Sequence, residues 1–176
     1  MREHAPARGR FIQWLHGHGH LPWGTRPERY DPEAVAKTLE SIGKLFGPGR
    51  YFDTRAVGFE NVPPSPALVV SNHSGGTTIP DAWGFLASWY RHFGVGRPIH
   101  PLAHEIILST KLTGEFFEAR GALRGGHHVA LKALRDFGDD VMVMPGGDLD
   151  TWRPWRDRYK VQFGGRVGYA KLALKA

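Results

Sequence analysis

Apolar residues fall at helical spacing over Val35, Leu39, Ile42 and then Leu45 or Phe46, while Lys37, Glu40 and Lys44 lie mostly elsewhere, a pattern that predicts an amphipathic helix. Asp31-Pro32-Glu33 supplies an N-cap, a first-turn proline and an acid that complements the helix dipole, and Gly47-Pro48-Gly49 ends the run. The period then shortens. Tyr51 to Glu60 reads as a strand, with Val57 and Phe59 out of phase with Ala56, Gly58 and Glu60, and Asn61-Val62-Pro63-Pro64 turns the chain into a second strand, Ala67 to Asn72. Next come a helix over Asp81 to Phe93, a strand over Pro98 to Ala103, and a helical segment over Glu105 to Leu112. An extended piece over Phe116 to Leu123 precedes a helix from His127 to Phe137, closed by Gly138, and a strand from Val141 to Met144. Strands alternating with helices predict an α/β fold: a single domain over residues 31–176, with a mixed, mostly parallel sheet flanked by helices. Met1 to Tyr30 has no sustained period and reads as an N-terminal helical arm, mobile or loosely docked.

Composition narrows the classes. With 176 residues, 41% of them hydrophobic, the chain can bury one domain's core but not two. Lys and Arg total 23 against 17 acids, a net charge of +6 that favours anionic partners such as phospholipid headgroups or phosphorylated cofactors. Nucleic acid also fits the charge, but no readout motif supports it, so none is expected. The absence of cysteine removes disulfides, thiolate metal sites and a cysteine nucleophile. No window approaches the roughly 18 apolar residues of a membrane span, and no signal-peptide core opens the chain, so a soluble or peripheral protein is expected. Trp83, Phe85, Trp89, Tyr90 and Phe93 crowd one helix, either as core packing or as a ring set for a lipid interface.

The chemistry gathers in loops after apolar runs. Ser71 to Asp81 follows Ala67-Leu68-Val69-Val70 and places His73 and Asp81 in one loop with Gly75 and Gly76. A general base could be built this way, with Asp81 holding one imidazole nitrogen while the other takes a proton from a hydroxyl. The plainer alternative is a turn in which Asn72 and His73 satisfy local backbone groups. Met144-Pro145-Gly146-Gly147-Asp148 repeats the arrangement after Val141 to Met144, and the segment to Arg158 brings Asp150, Arg153 and Arg156 beside Trp152 and Trp155. Arginines beside a backbone-exposing turn suit a phosphate-bearing ligand, and so do Arg120, Gly121, Arg124, Gly125 and Gly126 before the helix at His127; the alternative is a solvated charged loop. His16, His18 and His20, with His4, alternate with glycine, but no metal-ligand framework accompanies them and no metal is expected.

The two glycine loops, their order and the intervening arginine cluster resemble the glycerolipid and lysophospholipid acyltransferase family, the PlsC-like enzymes, over roughly Tyr51 to Ala176. Asn72-His73 through Asp81 is similar to the first family block, Gly121 to Arg124 to the second, and Met144-Pro145-Gly146-Gly147 to the third, usually Phe-Pro-Glu-Gly. The resemblance implies transfer of an acyl group from acyl-CoA or acyl carrier protein to a lipid or glycerol hydroxyl, with no other cofactor, on the cytoplasmic face of a membrane. His73 would be the base and Asp81 its partner. Asn72, Gly75, Gly76, Arg120, Arg124, Pro145, Gly146, Gly147 and Arg153 would line the substrate, with backbone N–H groups near the glycines facing the oxyanion. The sequence departs from the family in two places: seven residues separate His73 from Asp81, more than the common spacer, and Gly146 stands where most members carry Glu. The resemblance also implies a further strand beyond Gly165 to Lys175, so the chain reads as a shortened member or fragment. Two other functions stay open: a non-catalytic basic module that binds anionic lipid, and a metal-dependent hydrolase using the N-terminal histidines with Asp81 or Asp150.

Overall fold

The computed structural model describes residues 23–74 and 76–176. Among them four parallel strands form one sheet in the order β1-β4-β2-β3, where β1 is Leu68–Val70, β2 Ile99–Ala103, β3 Leu123–Arg124 and β4 Asp140–Val143. The register sets Val69 beside Met142, His100 beside Val141 and Leu102 beside Leu123. Side chains alternate across such strands, and both faces are covered. Leu68, Leu102, Leu123 and Val141 pack with Ala130, Leu134 and Leu172 on one face, whereas Val69, Ile99 and Met142 pack with Val35, Trp89 and Tyr90 on the other. The sheet is therefore all-parallel among the described residues.

Helix α1, Pro32–Ile42, begins as the sequence predicts: the Asp31 carboxylate accepts hydrogen bonds from the N–H groups of Glu33 and Ala34. Helix α2, Pro80–Phe93, and the helix α4, His127–Leu131, which continues as a π-helical turn over Lys132–Phe137, also match their patterns. Gly138, at φ 70°, closes the latter in the left-handed region. Rings of α2 are core packing: Trp89 is fully buried and meets Phe85 and Phe93.

Two elements differ from expectation. Tyr51 to Glu60 forms no strand; it makes an isolated bridge between Phe46 and Phe52, whose rings stack at 4.8 Å, and then a 3-10 turn at Phe59–Asn61. The apparent alternation there has no neighbouring strand to pair with, and Val57 is exposed. The piece over Phe116 to Leu123, expected to be extended, instead begins within helix α3, Lys111–Ala119, which is started by the Thr110 hydroxyl accepting from Thr113 N–H and followed by the short β3.

Residues 1–22 lie outside the described residues, but 23–30 pack firmly. The buried Glu118 carboxylate accepts from Gly24 N–H at 3.0 Å and pairs with Arg26 at 3.0 Å, Arg124 N–H donates to the Gly24 carbonyl, and Tyr30 donates to the Val95 carbonyl. Gly114 gives Trp23 room, since a Cβ there would lie 2.6 Å from the indole ring. Short helices α5, Asp148–Thr151, and α6, Gly168–Ala173, complete the chain.

Candidate active site

Because all four strands run the same way, the loops after β1 and β4 leave the same edge of the sheet, where α/β folds place ligands. Ser71 N–H donates to the Val143 carbonyl just past both strand ends, so the two loops start side by side. From this base the His73 loop turns back through the 3-10 turn Gly76–Thr78 and Ile79, which has φ 44°. A left-handed β-branched residue is strained by about 1–3 kcal/mol, and here it swings the start of α2 toward His73.

That turn closes the long spacer. His73 Nδ1 lies 2.7 Å from Asp81 Oδ2, and Ser74 N–H donates to the same oxygen at 2.7 Å. Burial pushes the Asp81 carboxyl up, but the bonds from His73 and Ser74 and the imidazole charge outweigh it, and the net shift is downward. Asp81 thus stays ionised as an acceptor, which requires the Nδ1 proton and leaves Nε2 as the basic nitrogen. His73 Nε2 makes no hydrogen bond among the described residues. Asp81 Oδ1 is buried and also has no partner among them.

The backbone of His73 is clamped from the β4 loop. His73 N–H donates to Asp150 Oδ2 at 3.3 Å, and the His73 carbonyl accepts from Arg153 at 2.9 Å. Asp150 and Arg153 pair with each other at 3.1 Å, with side chains 0% and 6% exposed, and Asp150 Oδ1 also accepts from Gln162 N–H at 2.7 Å. Arg153 donates further to the Lys160 carbonyl. Its two terminal nitrogens thus tie the loops after β1 and β4 together.

Gly146 has a steric reason to be glycine. A Cβ at this position would overlap the Asp150 carboxylate, so the glycine is what lets Asp150 reach under His73. Gly147 needs its own freedom, at φ 49° and ψ −125°, and its N–H donates to the Met144 carbonyl, which removes it as an oxyanion donor. Gly146 N–H donates to no acceptor among the described residues and keeps that possibility. Arg166, which the sequence reading missed, donates to the Pro145 and Gly146 carbonyls and pairs with Asp148 at 2.8 Å; that hydrogen bond holds the Asp148 carboxyl below its usual range. Nothing in the local pattern marks Arg166, because its partners are mostly carbonyls about twenty residues away.

The remaining candidates divide. Asn72 is exposed at the end of β1, and Gly75 lies outside the described residues. Arg124 stands at the end of β3 on the same edge as His73, with β4 and β2 between it and β1, and engages the Trp23 carbonyl and Glu105. The glycines after it are also committed, Gly125 N–H to the Ala103 carbonyl and Gly126 N–H to the Arg124 carbonyl. Arg120 precedes β3 and so lies toward the opposite edge, bonded to Thr38 and lying over the Phe116 ring; it is not brought to His73. The histidines His4, His16, His18 and His20 lie outside the described residues, among which no group of three His, Asp or Glu could hold a metal ion.

An apolar groove of about 180 Å³ is lined by Ile42, Leu45, Phe46, Phe52, Thr78, Pro80 and Trp83. Thr78 and Pro80 belong to the connection between His73 and Asp81, so the groove borders the loop that carries the base. No helix among the described residues is long and apolar enough to cross a membrane.

Relatives were found in mycobacteria. An uncharacterized protein of Mycobacterium tuberculosis is 26% identical over 152 residues, 83% of this chain and 40% of its own length, and one of Mycobacterium bovis gives the same figures. An uncharacterized protein of Mycobacterium leprae is 30% identical over 129 residues, 70% of this chain and 34% of its own. The chain spans two fifths or less of the length of these relatives. No family profile and no solved structure matches the chain.

Proposed function

We propose that the protein is an acyltransferase with a glycerolipid acyltransferase-like fold, moving a fatty acyl group from an acyl-CoA or acyl carrier protein thioester to a lipid or glycerol hydroxyl at a membrane surface. The observation that carries this reading is the His73–Asp81 pair at 2.7 Å, with Nε2 left open and the His73 backbone clamped at both of its polar groups. A base held this way suits hydroxyl activation. The adjoining apolar groove supports an acyl-bearing substrate rather than a fully polar one.

In the proposed reaction His73 Nε2 takes the proton of the acceptor hydroxyl as its oxygen attacks the thioester carbonyl. Asp81 stabilises the imidazolium through Nδ1–H, and a loop donor such as Gly146 N–H meets the oxyanion. Collapse breaks the carbon–sulfur bond, the thiolate takes the proton from Nε2, and an ester and a free thiol leave. No acyl-enzyme forms. General-base catalysis contributes about 10²- to 10⁴-fold, so His73→Ala is expected to lose that much transfer, read as thiol release and ester formation with acyl-CoA and a panel of diacylglycerol and lysophospholipid acceptors. Full transfer by this variant would sink the His73 mechanism, and no transfer by the parent with any of these acceptors would leave a non-catalytic lipid-binding module.

A further inference from the structure

Residues 148–160 face two ways. Asp150 and Arg153 turn inward to hold His73, whereas Trp152, Trp155 and Tyr159 stand 61%, 78% and 87% exposed. Such rings are costly in water, and three within eight positions form an aromatic surface exposed among the described residues. Trp and Tyr, each an apolar body with a polar tip, belong at the headgroup level of a bilayer. Cations are interleaved with them. The Arg158 guanidinium lies 4.4 Å from the Trp155 ring centre and 4.6 Å from that of Tyr159, and Arg156 and Lys160 point largely into solvent. From Pro154 to Lys160 three cations face one acid, Asp157, which pairs with both Arg156 and Lys160.

We propose that Trp152, Trp155 and Tyr159, with Arg156, Arg158 and Lys160, form the surface that docks this protein on an anionic bilayer. The rings would enter the headgroup region while the cations meet lipid phosphates, and an arginine on a ring face can descend with it. Because Arg153 lies between Trp152 and Trp155 and bonds the His73 carbonyl, docking here fixes the base relative to the bilayer. The proposal deepens the acyl-transfer reading and rests on it for the lipid nature of the acceptor, not for the surface itself.

The test is flotation of the whole chain with vesicles of phosphatidylglycerol and phosphatidylcholine in equal parts, against phosphatidylcholine alone. The parent is expected to float with the anionic vesicles and to lose binding as salt rises. Trp152→Ala with Trp155→Ala should weaken binding on the order of tenfold, and Arg156→Glu with Arg158→Glu by about fivefold or more for each cation removed. Unchanged flotation of either double variant, equal binding to both vesicle types, or retention on an acidic protein or nucleic acid without vesicle binding would overturn the proposal. So would rings already shielded from iodide quenching without vesicles, because another segment or partner would then cover them. His73→Ala should float like the parent and lose transfer; if the parent floats but catalyses no transfer, the enzymatic reading fails while the docking surface stands.

Discussion

Arg153 and Asp150 decide how rigidly the base is held. Each is buried, each satisfies the other, and each takes one polar group of the His73 backbone, so the imidazole direction depends on a buried ion pair. Removing one member of a buried pair strands the other charge, at a cost of about 3–5 kcal/mol. Arg153→Met should therefore lower the unfolding free energy measured in denaturant by an amount in that range, and in the surviving folded protein it should reduce kcat more than it raises KM. A change confined to KM would mean that Arg153 meets the substrate after all. His73 and Asp81 were legible because a strand-end histidine and a returning acid are local features. The direction of Arg153 was not, because it lies in a run of alternating charges and only the glycine at 146 hints that a carboxylate must pass beneath.

At the scale of elements, the connection between β1 and α2 sets the geometry of the dyad. The spacer is long, but its 3-10 turn and left-handed Ile79 bring the first turn of α2 back against β1, so Asp81 reaches His73 from a helix N-terminus. A carboxyl held below its ordinary range binds a proton less readily in the folded state than in the unfolded one. The stability it confers is therefore fully present above about pH 4, the unfolded carboxylate value, and is lost as pH falls through the lower folded value. Asp81→Asn should remove this acid-side loss, which denaturant unfolding from neutral pH into strong acid would measure. An identical pH slope in parent and variant would show that Asp81 is not the group responsible. Helices with clear caps, α1 above all, were legible in the chain. Tyr51 to Glu60 and the α3 region were not, because alternation says nothing about whether a partner strand exists, and the inward face of α3 is marked by the polar Glu118 and by Gly114 rather than by an apolar stripe.

Over the whole molecule, the parallel sheet collects the loops after β1 and β4 on one edge, and that much followed from reading strands alternating with helices. The packing of residues 23–30 did not, since it depends on Glu118 meeting Gly24 and on Trp23 meeting Gly114, each across more than ninety positions. The bond from Arg124 N–H to the Gly24 carbonyl has a consequence for solubility. It occupies a donor on the outer side of β3, the last strand of the sheet among those described, so the segment acts as a guard over an edge that would otherwise offer itself to another chain. A protein starting at Asp31 loses that guard and leaves Glu118 without Arg26. It should elute as concentration-dependent oligomers in size-exclusion chromatography, whereas the whole chain should not, and adding Lys or Pro at the bared edge should restore the single species.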